Sequence, residues 1–335
     1  MRITNPEKPR GGIVIVTPAL ADANNGNWRT ARRWQGFLAA LHPVRLSRDW
    51  PDAKADGDQA MIALHARRSA PAIAAWHARH GNDGLAVVLT GTDLYRDIST
   101  DGAARASLDY AQALVVLQEC GPGALPESVR PRARVIFQSG GVRQPLAKTR
   151  AHVRVLMVGH LRAEKSPDTL FAAARRLARE RGILIDHVGT ALDPALAELA
   201  RATMADCPAY RWLGGLPHAA TRRRIQRAHV LVHPSRMEGG AHVVLEAVAS
   251  GTPVLASRID GNVGMLGADY EGYFPWGDDA ALAELLRECR ASLGRADGLL
   301  ARLTTQCNAR APLFSTARER LAVRQLAADL VQGGP

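Results

Sequence analysis

The stretch His229-Val-Leu-Val-His-Pro-Ser-Arg-Met-Glu-Gly-Gly-Ala-His-Val-Val-Leu-Glu-Ala-Val-Ala-Ser-Gly-Thr-Pro-Val-Leu-Ala-Ser257 decides the fold. It reads as an apolar strand (His229–His233), a glycine turn, a helix and a second apolar strand (Pro253–Ser257). Continuous apolar strands joined by a helix must be covered on both faces, so they belong to a parallel sheet. The same alternation extends outward from this block. Val153–Val158, Ile183–Val188 and Tyr210–Leu213 precede it as strands. Further upstream lie Ile13–Thr17, an amphipathic helix over about Arg29–Leu41, Met61–Leu64, Leu85–Thr90, Ala113–Leu117 and Arg134–Phe137. Gly140–Arg150, with its Gly-Gly, a proline and basic residues, separates the two series, and Asp278–Val331 is helical in period. The expected architecture is α/β, with two Rossmann-like domains facing each other across a cleft. Residues 1–148 form the first, 149–312 the second, and 313–335 a terminal helix returning to the first.

Composition narrows the function. The chain has 335 residues, 47% hydrophobic and 22% charged, which is globular and long enough for two domains. No apolar run reaches the roughly 18–20 residues of a membrane helix, and Met1–Arg10 lacks a secretory pattern, so a cytoplasmic protein without membrane partners is expected. The formal charge of +11 invites nucleic acid, yet the basic residues are scattered and aromatics are only 5%, too few for a stacking platform. A small anionic substrate fits better. Cys120, Cys207, Cys289 and Cys307 show no metal-binding spacing and read as reduced structural thiols. No metal and no cofactor are expected.

In open α/β sheets ligands bind beyond the carboxyl ends of the strands, and the unusual residues of this chain sit at those turns. Glu238 stands just before a helix and Glu246 a little over two turns later, so both carboxylates can line one edge of a cleft. Gly239 and Gly240 bring main-chain N–H groups to the helix start, where an anion or sugar oxygen is well received. Carboxylates pair with vicinal hydroxyls, so Glu246 suits a ribose and Glu238 a hexose; the other reading makes Glu238 a cap and Glu246 a solvated face residue. Between the first strand and first helix, Asn25, Gly26 and Asn27 form a tight turn, and Arg29 adds a charge suited to phosphate. The absence of GxGxxG there argues against a dinucleotide. His65 in Ala63-Leu-His-Ala-Arg67, and Thr92, Asp93 and Arg96 in Gly91-Thr-Asp-Leu-Tyr-Arg-Asp97, end the next strands. Asp93 and Arg96 either orient an acceptor or form a local salt bridge.

Taken with Val158-Gly-His-Leu-Arg-Ala-Glu-Lys-Ser166, the block around Glu238 resembles the nucleotide-sugar domain of the family-4 glycosyltransferases, whose fold is GT-B. The resemblance runs over nearly the whole chain. It implies that Glu246 binds the ribose and that Glu238 reaches the donor sugar. The family's G-R-L-x-x-x-K motif supplies an Arg and a Lys to the diphosphate. Lys165 matches the Lys, whereas His160 stands where the Arg is expected, leaving that contact to Arg162 or to His160 itself. Two cations beside a diphosphate stabilise the charge that develops as the bond to the sugar breaks. Thr90 replaces the histidine usual before the Gly-Thr-Asp step. Together with the loop Asn24–Arg29, these motifs resemble the selenosugar synthases within that family. The likeness implies transfer of N-acetylglucosamine from a UDP-sugar to the selenium of selenophosphate. It makes Glu238, Lys165, His65 and Asp93 catalytic and gives His160, Arg162, Lys165, Glu238, Gly239, Gly240 and Glu246 to the donor. Asn25, Gly26, Asn27, Arg29, Thr92 and Arg96 fall to the acceptor. The alternatives are a conventional sugar or lipid acceptor and a nucleotide-sugar binding module.

Overall fold

The computed structural model describes residues 11–18, 20, 26–141 and 143–332. These form two compact units, residues 1–138 with 316–335, and residues 139–315. The first unit starts with β1 (Gly12–Val16), α1 (Gly26–Leu38), β2 (Val44–Ser47), β3 (Asp58–Leu64), α2 (Ala70–His80) and β4 (Leu85–Val88). It continues through α3 (Ile98–Thr100), α4 (Gly102–Tyr110), β5 (Ala113–Val116) and β6 (Ala133–Val135). The second unit opens with β7 (Val153–Val158), α5 (Pro167–Arg176), β8 (Ile183–Val188), α6 (Pro194–Asp206), β9 (Tyr210–Trp212) and α7 (His218–Arg227). Then come β10 (Val230–His233), α8 (His242–Ala249), β11 (Val254–Ser257), α9 (Asp260–Leu266), β12 (Tyr273–Phe274), α10 (Asp279–Ala291) and α11 (Leu299–Arg310). The last helix, α12 (Thr316–Gln332), belongs to the first unit. The division between the units falls at Gln138 and Ser139, earlier in the chain than the residue 148 boundary read from the Gly140–Arg150 break.

Each unit holds one six-stranded sheet, parallel at every pairing, as the strand–helix alternation implies. The first runs β2-β1-β3-β4-β5-β6 and the second β12-β11-β10-β7-β8-β9. Successive strand residues serve opposite faces. Ile13, Ile15, Ile62 and Leu64 pack with Trp34, Leu38, Val323 and Leu326 on the α1 and α12 side. Val14, Val16, Met61 and Ala63 pack with Ile73, Trp76 and Leu108 on the α2 and α4 side. The short strands β2 and β12 escape a reading based on apolar runs. In β2 all four residues are only partly buried, because an edge strand has one neighbour. β12 is two residues long and is strand only because it pairs with Ala256 and Ser257.

Strand order fixes where ligands can enter. In the first sheet the chain moves from β1 outward to β2 and then back across to β3, so the loops after β1 and β3 diverge. In the second, β7 leads outward to β8 and β9 before the chain returns to β10 on its other side. The loops after β7 and β10 therefore part and leave a crevice at the carboxyl ends.

One ion pair ties α12 to its sheet's cover. Glu319, fully buried, receives Arg33 Nε at 2.8 Å and Nη2 at 2.9 Å, and Trp34 Nε1 at 2.8 Å. Glu319→Ala leaves the indole N–H and the guanidinium without that acceptor and should cost about 3–5 kcal/mol. Glu319→Gln, which keeps an acceptor for Trp34, should cost less. Urea unfolding followed by tryptophan fluorescence reads both; an unchanged midpoint for the alanine variant contradicts this role.

Candidate active site

The crevice of the second unit gathers the charged residues of the sequence motifs. After β7 the chain passes through Gly159–Arg162 and a short turn, Ala163–Lys165, before α5. Ser166 joins the two at φ 43°, a left-handed conformation unusual for serine. It turns the chain sharply and sets Lys165 at the crevice. After β10, Pro234–Gly240 forms the opposing loop. Lys165 Nζ donates to Glu238 Oε1, and His233 Nε2, at the end of β10, stands 3.2 Å from the same oxygen. Burial alone would raise the Glu238 pKa, but the Lys165 ammonium and His233 outweigh it and hold the carboxyl well below its usual range. Burial lowers the pKa of His233, which favours its neutral form. The site thus presents a carboxylate and an ammonium of opposite sign, both more than four-fifths buried, with Glu238 at 11% and Lys165 at 16% exposure.

Glu238 is placed by its backbone. A Cβ on Gly261, in the first turn of α9, would lie 2.0 Å from the Glu238 carbonyl oxygen, so only glycine admits this approach. Glu246 lies on α8, where its Oε1 accepts from His218 Nε2, the first residue of α7, at 2.8 Å. That bond fixes the carboxylate and leaves Oε2 for a hydroxyl. Gly239 and Gly240 complete the turn ahead of α8, whose N-cap, Ala241, has no side-chain cap.

His160 Nδ1 accepts from the Thr190 main-chain N–H at 3.1 Å, so the neutral ring presents Nε2–H outward. Burial, with help from Arg162 and Lys165, lowers its pKa and favours that neutral donor. Arg162 is exposed, and its side chain has no hydrogen-bond partner among the described residues. Beneath this loop lies a buried support that motif reading did not find. His187 on β8 bonds the Gly159 carbonyl through Nε2 and Tyr210 Oη through Nδ1, both at 3.0 Å. The two loops meet so closely there that a Cβ on Gly189 would lie 1.8 Å from the Gly159 oxygen. His187, His218 and His233 are the functional neighbours missed from sequence. Only His233, at a strand end before a proline, carried a local signal; the other two become neighbours through strand pairing and helix packing.

The first unit holds the remaining candidates. Asn25 lies outside the described residues. Gly26, Asn27 and Arg29 occupy the first turn of α1, anchored by Thr30 Oγ1 donating to the Gly26 carbonyl at 2.9 Å. At the end of β3, His65 adopts φ 76°, and its Nε2 lies 3.2 Å from Thr92 Oγ1. Strain of this kind at a strand end accompanies functional sites. Asp93 opens a π-helical turn, Asp93–Asp97, and is fully buried. Its Oδ1 accepts from Thr90 N at 2.8 Å and Gly91 N at 2.9 Å, and its Oδ2 from Ala66 N at 3.0 Å. Asp93 therefore fixes the turns that carry His65 and Thr92, through main-chain bonds. Arg96 Nε donates to Asp97 Oδ1 at 3.0 Å, and Arg67 Nε lies 3.3 Å from Asp97 Oδ2. Among the described residues no group of His, Cys, Asp and Glu could hold a metal ion, and no helix is long and apolar enough to cross a membrane.

The support beneath the Gly159 loop has a pH signature. Burial pushes the His187 pKa down to about 4, against an ordinary value near 6.5. The native state then binds fewer protons than the unfolded chain between these values. Stability is fully present above about pH 6.5 and falls as pH drops toward 4, by up to about 1.4 kcal/mol per unit. An NMR titration should place the His187 midpoint near 4, and urea unfolding at pH 7 and pH 5 should show the loss. A midpoint at or above 6.5 contradicts it.

Comparison with known proteins places this geometry. Residues 142–290 match the family glycosyl transferases group 1. Glycogen synthase of Mycobacterium tuberculosis is 31% identical over 184 residues, which is 51% of this chain and 43% of that protein, so the match spans less than half the relative's length. Among solved structures, sucrose-phosphate synthase from Thermosynechococcus elongatus superposes with a TM-score of 0.78 at 18% identity, covering 97% of this chain and 100% of that one. HepE from Anabaena, solved in complex with UDP and glucose, gives 0.69 at 13% identity over 96% of this chain and 100% of its own. Residues 142–290 thus match the glycosyl transferases group 1 family, and the chain shares the fold of the GT-B glycosyltransferases.

Proposed function

We propose that the protein is a UDP-sugar-dependent glycosyltransferase that moves N-acetylglucosamine to the selenium of selenophosphate. The observation that carries the donor half is the buried Lys165–Glu238 pair at the switch point of the second sheet, with Glu246 held by His218 on the following helix. Glu246 Oε2 takes a ribose hydroxyl, Lys165 takes the diphosphate with His160 Nε2–H or Arg162, and Glu238 takes the sugar. The fold shared with HepE, a protein seen with UDP and glucose, is consistent with a UDP-sugar. Lys165 offsets the charge that grows on the leaving diphosphate, and no divalent metal is needed.

The acceptor half rests on the resemblance to the selenosugar synthases and on Arg29 in the first turn of α1, where main-chain N–H groups also favour an anion. Thr92 and Arg96 lie at the second acceptor-side turn, which Asp93 holds in shape beside His65. Selenium attacks the anomeric carbon, the carbon–oxygen bond to the diphosphate breaks, and UDP leaves with the electron pair. Water then cleaves the selenium–phosphorus bond, releasing phosphate and the 1-seleno-sugar. The deciding experiment measures UDP release from UDP-N-acetylglucosamine, in EDTA, with and without selenophosphate. Release that depends on selenophosphate supports the reading. Release that depends instead on a sugar or lipid acceptor overturns it.

Two variant pairs separate the roles. Glu246→Ala should weaken UDP binding, because its contact exists before reaction, whereas Glu238→Ala should mainly lower kcat, because contacts to the reacting sugar strengthen in the transition state. Equal losses of UDP affinity contradict the assignment. Arg29→Ala should raise KM for selenophosphate about ten- to a hundred-fold, the worth of a charged contact of about 1.5–3 kcal/mol, and leave KM for the UDP-sugar unchanged. Arg29→Lys should recover only part, since the ammonium keeps the charge and loses the fork. A rise confined to the UDP-sugar KM assigns Arg29 to the donor instead.

A further inference from the structure

Interior strands of a parallel sheet ordinarily carry no charge on either face, yet β7 and β8 carry Arg154 and Asp186. Arg154 lies near the start of β7, and Asp186 on β8 pairs in register with Arg211 on β9. The helix over this face, α7, leaves an open cavity of about 600 Å³ between itself and the sheet. Its walls bring together Arg154, Arg223, Arg224, Arg227 and Asp186, over a floor that includes Val155, Leu156 and Ala220. Asp186 is already committed, since Oδ1 receives Arg211 and Oδ2 receives Arg224 at 2.8 Å. Arg154 Nε donates to a neighbouring histidine, His152, at 3.2 Å and has no carboxylate partner among the described residues. Arg223 and Arg227, one helical turn apart, are exposed and have no carboxylate partner among the described residues. Among the described residues, three guanidinium groups therefore line one cavity with no carboxylate bonded to them, Asp186 being taken by Arg211 and Arg224.

The arginines of this cavity lie away from Lys165 and Glu238, although Pro217 and Ala219 in its lining flank His218. Arg154 and Ala228 lie at the amino ends of β7 and β10, whereas Lys165 and Glu238 follow their carboxyl ends. From the charge, the volume and the apolar floor, we propose that this cavity is a second binding site, for a small organic molecule carrying two or more phosphates. Guanidinium forks grip phosphate oxygens in pairs, and a volume of this size suits a ligand of nucleotide or sugar bisphosphate dimensions. Its apolar floor accepts the uncharged part of such a molecule.

Titration calorimetry on the full chain tests this, with UDP held at saturation and ATP, fructose bisphosphate and tripolyphosphate as probes. One additional site per chain is expected, tighter for ATP or the bisphosphate than for tripolyphosphate. The variant R223A/R227A should weaken it about a hundred-fold or more, since each charged contact is worth about ten-fold or more. Both side chains are exposed, so the variant should melt like the parent. Lys165→Ala should leave the site intact. Loss of the signal in Lys165→Ala, unchanged binding in R223A/R227A, tightest binding by tripolyphosphate, or no second site at millimolar probe would each overturn the proposal. None of these results depends on which sugar or acceptor the enzyme uses.

Discussion

A parallel sheet covered on both faces leaves its strands little room for charge except at their ends. In this protein that constraint acts twice. Ile13 and Val14, or Ile62 and Ala63, face opposite layers of helix, so each strand must be apolar along its length. Polar chemistry is then driven to the turns that follow the strands. The strand order decides which of those turns become a site, because loops diverge only where consecutive crossovers leave in opposite directions. In the second sheet that point lies between β7 and β10, and it is there that Lys165 and Glu238 meet. Where the rule is broken, at Arg154 and Asp186, the sheet face stays open and a cavity appears.

The electrostatics of the crevice follow from burial. A carboxylate removed from water is costly unless it is paired, and Glu238 is paired with the Lys165 ammonium, with the buried His233 imidazole 3.2 Å away. The pairing keeps it ionised. It also leaves Lys165 with donors to spare, since an ammonium has three N–H groups and Glu238 uses one. The neutral His160 alongside supplies a donor without adding a full positive charge. An arginine at that place would add one, so the substitution alters the charge balance and not only the shape of the loop.

Support beneath the site is as ordered as the site itself. Asp93 has no exposure and gives its oxygens to the amides of Ala66, Thr90 and Gly91, stitching the ends of β3 and β4 together. His187 does the same in the second unit by holding the Gly159 carbonyl from below. In both places a titratable side chain works as a brace for the loop. The candidate site residues then sit on turns whose backbone is fixed by buried hydrogen bonds, which preorganises them.

Apolar runs and their spacing are local properties, so the α/β class, most of the strands and the separation into two series are legible in the sequence alone. Glu238, Glu246 and Lys165 are legible for the same reason, since each lies within a short motif at a strand end. Strand order is not local. Nothing in the runs themselves says that β10 returns beside β7 rather than beyond β9, and that return is what brings Lys165 to Glu238. Likewise His218 reaches Glu246, and His187 reaches Gly159, only through packing between segments far apart in the chain. Edge strands such as β2 are strands because a neighbour supplies their hydrogen bonds. The tertiary structure also separated Asp93 from the groups open to a ligand, because burial and main-chain partners, which no residue pattern encodes, decide whether a carboxylate reacts or holds a turn.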